Sequence, residues 1–127
     1  MRFSIACIFF VFSVFNSNAQ TTIDDIGTAL KTGSSKELVK YFNKITELKI
    51  DDKGANYTKI QAESILKDFF TKYPAKTFEY IHKGSSPEGL KYNIGKYTHF
   101  SGKFRVVMLL KKVGETYVID TINFNEE

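Results

Sequence analysis

Apolar residues between Thr58 and Tyr73 recur with a helical period. Ala62, Ile65, Leu66, Phe69, Phe70 and Tyr73 form one face, while Lys59, Glu63, Lys67 and Asp68 fall mostly off it. Glu63 precedes Lys67 by one turn, the favourable order for an ion pair along a helix. Both ends are marked. Thr58 and Gln61 have the spacing of a capping box, with Tyr57 and Ala62 in the staple positions. Pro74 cannot continue the helix and pushes Tyr73 out of helical angles. Two adjacent phenylalanines on one face need a broad apolar partner, which a sheet supplies and a single helix does not.

After Pro74 the period becomes two. Lys76–Lys83 places Phe78, Tyr80 and His82 on one face and Thr77, Glu79, Ile81 and Lys83 on the other. Gly84–Gly89 is a loop. Leu90–Phe100 carries Leu90, Tyr92 and Ile94 on one face; Tyr97 is out of step, and Gly95 between them suggests a bulge. Lys103–Lys112 alternates Phe104, Val106, Met108 and Leu110 against Arg105, Val107, Leu109 and Lys111, so it predicts a central strand covered on both sides. Glu115–Phe124 sets Tyr117 and Ile119 against Val118, Ile122 and Phe124, and Asn125–Glu127 is a tail. Short turns at Ser101-Gly102 and Val113-Gly114 predict antiparallel hairpins.

Upstream, Thr22 with Asp24 and Asp25 marks a helix start, Ile23, Ile26 and Leu30 share a face, and Gly33 stands where a C-terminal cap belongs. Gly27 weakens this helix. Ser34 and Glu37 open a second short helix whose Leu38, Val39 and Phe42 face inward. Thr46, Leu48 and Ile50 then alternate as on a strand, and Asp51-Asp52-Lys53-Gly54 is turn chemistry. The predicted order is two helices, one strand, the long helix, then four strands. Helices gathered on one face of an antiparallel meander define an α+β domain.

The first residues have a different character. Arg2, the apolar run Phe3–Phe15 and the small residues Ser17-Asn18-Ala19 have the pattern of a secretory signal peptide, residues 1–19, cut before Gln20. The run is too short to span a bilayer, which takes about 20 residues. Ser4-Ile5-Ala6-Cys7 lies too near Met1 to be a lipoprotein box. The expected product is one domain, residues 20–127, exported to the periplasm or beyond, with no membrane contact after cleavage. Cys7, the sole cysteine, leaves with the signal, so neither a disulfide nor a thiolate site remains. Loss of Arg2 leaves 17 basic against 14 acidic residues, a net charge of +3. The lysines are dispersed, which suits solubility and protection of sheet edges, and export argues against a nucleic-acid partner.

Several blocks of this chain resemble one family. Asp24–Leu30 with Lys31–Leu38 looks like the family's opening, Tyr57–Glu63 with Ile65–Phe70 looks like its long helix, and Ile81–Ser86, Ile94-Gly95 and Phe104-Arg105-Val106 match its later segments. The chain is thereby identified as similar to the domain of unknown function 4783 family, short exported proteins of Bacteroidetes-type bacteria. The resemblance covers nearly all of residues 20–127. It implies a cone-shaped, nuclear-transport-factor-2-like (cystatin-like) roll, an exported location and no known activity.

Candidate chemistry is sparse. His82 can act as a general acid or base in a sheet-lined pocket, or brace the following loop. His99, near a hairpin, is expected at the surface. Asp120, an isolated acid in an apolar strand, can point into a pocket as a base or pair with a lysine on the outer face. Tyr80, His82, Tyr92 and Asp120 are the candidate ligand-binding residues. Lys83-Gly84-Ser85-Ser86 is a weak candidate for an anion cradle, since it lacks phosphate-loop spacing. No metal-ligand set stands out and no cofactor is expected. The expected function is a non-catalytic module binding a small molecule or a protein partner, with a second copy through the sheet face as one such partner. The alternative is an isomerase- or hydrolase-type enzyme with a polar cone pocket around His82.

Overall fold

In the computed structural model, which describes residues 17–127, the first described element is helix α1 (Ser17–Thr32). It starts ahead of the expected cap at Thr22, because nothing in Asn18-Ala19-Gln20 breaks a helix. Residues 1–16, which hold the apolar run of the expected signal peptide, lie outside the described residues. Ile23, Ile26, Ala29 and Leu30 form the buried stripe of α1. The helix closes with the two bonds of a Schellman motif, Gly33 N–H to Leu30 C=O at 3.2 Å and Ser34 N–H to Ala29 C=O at 3.0 Å. Ser34 Oγ then accepts from Glu37 N–H and caps α2 (Ser35–Leu38), which runs into a single 3₁₀ turn, Val39–Tyr41.

The next segment departs from expectation. Strand β1 (Phe42–Ile50) is followed by a second strand, β2 (Lys53–Thr58), so the long helix separates two strands from four. Asp51 and Asp52 both have positive φ, 51° and 68°, and form a two-residue hairpin turn. Asp51 ties this turn to the end of the C-terminal strand beside β1, since its Oδ1 accepts from Glu126 N–H at 2.8 Å. β2 has no apolar alternation to announce it, because it is an exposed edge strand.

Helix α3 (Lys59–Lys72) carries both bonds of the Thr58–Gln61 capping box, at 3.3 and 3.0 Å. It is followed by β3 (Ala75–Ser85), β4 (Lys91–His99), β5 (Gly102–Val113) and β6 (Thr116–Glu126). The six strands lie in the order β2-β1-β6-β5-β4-β3; only β1 and β6 are parallel. The expected tail is instead the end of β6, with Asn125 opposite Arg105. The helices pack on one face of the sheet. Among the described residues nothing covers the other face, so β5 is central but covered on one side only: Val106 and Met108 are fully buried, whereas Val107 and Leu109 are half-buried.

Two bulges decide which residues meet the helices. In β3, Tyr80 pairs with Gly95 but His82 pairs with the adjacent Ile94. The irregularity expected at Gly95 is therefore in the facing strand, and β4 buries Asn93, Gly95, Tyr97 and His99 in unbroken alternation. Gly95 is required by close approach. A Cβ there would lie 2.3 Å from the Phe78 ring, which covers the glycine. In β6, Leu110 pairs with Ile119 and Leu109 with Thr121, so Asp120 is the extra residue. Ile119, Ile122 and Phe124 consequently share the covered face, against the simple alternation expected. The buried Thr46 hydroxyl donates to Ile119 C=O at 2.9 Å, where the β1–β6 register breaks.

Phe69 is the hub of the core. Its ring lies 4.6 Å from Phe124, 5.0 Å from Phe104, 5.6 Å from Tyr97 and 5.3 Å from Tyr73, centroid to centroid. These are the spacings of favourable aromatic pairs. We expect Phe69→Ala to cost about 3–5 kcal/mol in urea unfolding, as for large buried aromatics. Gly95→Ala should cost about 1–3 kcal/mol by overpacking. Adding Phe78→Leu should recover part of the Gly95→Ala loss, and strictly additive losses would refute the proposed contact.

Candidate functional site

The deep space between sheet and helices is filled by Phe69, Phe70, Tyr97, Phe104 and Phe124. Tyr97 is wholly buried, its hydroxyl donates to Tyr73 C=O, and burial pushes that hydroxyl up to about 12. Open volume survives at the other end, where the start of α1 crosses the ends of β3 and β4. There a cavity of about 190 Å³ is lined by Ala19, Gln20 and Ile23 from α1, Lys83, Gly84 and Ser85 from β3, and Lys91 and Asn93 from β4.

The β3 bulge builds this site. Before it, Phe78 and Tyr80 face the helices; after it, His82 faces out and Lys83 and Ser85 face in, opposite Asn93 and Lys91. Lys83 Nζ stands 5.2 Å above the Tyr80 ring. Lys91 Nζ donates to Ser85 Oγ at 3.1 Å and lies 5.8 Å from the Tyr117 ring centre. Neither ammonium meets a carboxylate among the described residues. The nearby Asp24 accepts from Gln20 Nε2 at 2.8 Å. Asn93 is 1% exposed, and both its Nδ2 and its Oδ1 lack a hydrogen-bond partner. A buried carboxamide left unpaired costs about 1–3 kcal/mol. Such a group in a native fold calls for an explanation.

The four residues singled out from sequence do not meet in one place, and none lines this cavity. Tyr80 is on the covered face, where its hydroxyl donates to Ile23 C=O at 2.7 Å and holds α1 against β3. Gly27 permits that approach, since a Cβ there would lie 3.1 Å from the Tyr80 ring. His82 does not share the face of Phe78 and Tyr80. It is exposed on the open face, its ring 6.4 Å from that of Tyr92. Asp120 is also on the open face, where it accepts from Asn43 Nδ2 at 3.3 Å and lies 3.6 Å from Lys111 Nζ. That is the outer-face lysine pairing, so Asp120 is not a pocket base. His99 is 5% exposed rather than superficial, packed between Tyr73 and Phe104, with Nδ1 accepting from Ser101 N–H. Lys83-Gly84-Ser85 ends strand β3 and is not a loop.

Asn93 and Lys91 escape a sequence reading that starts from Tyr92 and Ile94. Counting back from Tyr97 in twos reaches Gly95, Asn93 and Lys91, and this parity was the available signal.

A curved sheet holding helices on one face defines a class. A nuclear-transport-factor-2-like protein of unknown function from Silicibacter pomeroyi superposes with a TM-score of 0.66 at 7% identity, over 91% of this chain and 98% of that one, a likeness of fold alone. Residues 23–125 match the family described as Domain of unknown function (DUF4783), and the chain belongs to it. A DUF4783 family protein from Bacteroides ovatus is 34% identical over 81% of this chain and 93% of its own, with a TM-score of 0.77. One from Bacteroides uniformis is 31% identical over 82% and 95%, also with a TM-score of 0.77. No curated protein matches the chain.

The buried tyrosines give a test of the site's surroundings. Burial, and secondarily the Asp24 carboxylate, also push Tyr80 upward. Unfolded tyrosine ionises near 10, so the stability these hydroxyls contribute is whole below about pH 10. For Tyr97 it is lost as pH rises through about 12. Urea midpoints followed from about pH 9 to about pH 12 should fall, and Tyr97→Phe should flatten the descent. An unchanged slope in that variant would disprove the assignment.

Proposed function

We propose that the protein is an exported, non-catalytic binding module whose ligand site is the cavity floored by Asn93; signal cleavage before Gln20 removes Ala19 from its rim and leaves Lys83, Ser85, Lys91 and Asn93 in place. The observation that carries this is the Asn93 carboxamide, buried against the cavity with donor and acceptor both unpaired. A bound molecule supplies the missing partners and recovers the desolvation cost. The lining has lysines, a serine and amides but no carboxylate or histidine for acid–base transfer. His82, on which an isomerase or hydrolase would depend, faces away from the cavity. That favours binding over catalysis. Self-association through the open sheet face accompanies this reading. Tyr92, Ile94, Val107 and Leu109 lie there without a covering element among the described residues, and Tyr92 is 43% exposed.

Native mass spectrometry of the protein isolated from its own cells tests both parts. We expect a retained small molecule, absent from Asn93→Leu, and a dimer. Ligand-free wild-type protein that stays so against a metabolite panel would overturn the binding reading, and a monomer at all concentrations would overturn the association. Asn93→Leu should also stabilise the empty protein by about 1 kcal/mol, since it removes an unpaired buried amide at similar volume. A destabilised variant would mean that Asn93 is satisfied within the fold.

A further inference from the structure

Resting on the cavity as the ligand site, we infer that its ligand is a small organic acid: a carboxylate with a hydroxyl or amino donor on the adjacent carbon. On the covered face, two of the four neighbours of Asn93 are cationic, and the other two, Met108 across β5 and Gly95 along β4, are apolar. Lys83 is the partner of Asn93 in β3, and Lys91 lies two residues back along β4. Like charges gathered on one sheet face repel, and no carboxylate among the described residues neutralises either one. Each ammonium meets a neutral neighbour, the Tyr80 ring for Lys83 and the Ser85 hydroxyl for Lys91. Such contacts leave N–H donors free for an anion, since an ammonium has three.

The remaining requirements come from Asn93 and from size. Its Nδ2 donates, so it accompanies the lysines in binding anionic oxygens. Its Oδ1 only accepts, so the ligand also needs an O–H or N–H group close to its acid. Ile23 gives one apolar wall. The volume of about 190 Å³, with Ala19 still in the lining, falls below the roughly 300–1,000 Å³ of sites for drug-sized molecules. It suits a compound of a few heavy atoms. A carboxylate bound by lysines and an amide makes the short, charge-assisted bonds that dominate such recognition.

The test follows the Asn93 side-chain NH₂ signals by ¹H–¹⁵N NMR while the protein is titrated with lactate, its neutral analogue lactamide, or inorganic phosphate. Lactate should shift the Asn93 signals, and Lys83→Met or Lys91→Met should each weaken it about tenfold, the loss of one charge-assisted bond. Lactamide should bind at least tenfold more weakly, by about the same count. Added salt should weaken lactate and spare lactamide. Phosphate binding more tightly than lactate would keep an anionic ligand and overturn the carboxylate. Lactamide binding as tightly as lactate, with the lysine variants unchanged, would overturn the anion while leaving the cavity a ligand site. If no probe moves Asn93, the cavity reading falls as well.

Discussion

The seating of Phe69 against Phe124, Phe104 and Tyr97 is the contact on which the other features depend. It joins the long helix to three strands that are adjacent in the sheet but distant from the helix in sequence. Nothing covalent holds them, since the described residues contain no cysteine. Aromatic packing of this extent stabilises through buried area and edge-to-face geometry. It also consumes the space. With the interior filled by rings, the cavity floored by Asn93 lies toward the end where α1 crosses β3 and β4.

Backbone irregularity then selects what that end presents. One extra residue in β3 turns His82 outward and Lys83 inward. One extra residue in β6 keeps Ile119 and Ile122 on the same side and leaves Asp120 outside beside Lys111. Since side chains alternate with a period of two, each bulge inverts every later residue of its strand relative to the earlier ones. The chemistry of both faces therefore turns on two local insertions. Phe78 over Gly95 lies beside the first of them. The Thr46 hydroxyl and the Asn43 amide occupy the break between β1 and β6 near the second.

Much of the architecture was legible in the chain. Thr58, Gln61 and Pro74 bound the long helix by local rules of hydrogen bonding and sterics, and the structure keeps all three roles. Phe104, Val106, Met108 and Leu110 alternate so strictly that their strand was plain, though the apolar Val107 and Leu109 concealed that only one of its faces is covered. β2 was not legible, because Lys53–Thr58 is an exposed edge without an apolar stripe; its pairing comes from the Asp51-Asp52 turn. The candidate site was half legible. The Lys83-Gly84-Ser85 segment was only a weak candidate for an anion cradle, and its partners on β4 were not singled out. Asn93 has the appearance of an ordinary polar residue between Tyr92 and Ile94 until its face is known.

What the sequence determined by itself was the local: where helices start and stop, which residues alternate, and the composition of an α+β domain in a family of unknown function. Those properties follow from interactions within a few residues. Tertiary structure alone decided facing. Whether His82 or Lys83 points at the helices depends on a bulge, and the bulge depends on how β3 meets a glycine in β4. That contact joins residues well apart along the chain, and no local period records it.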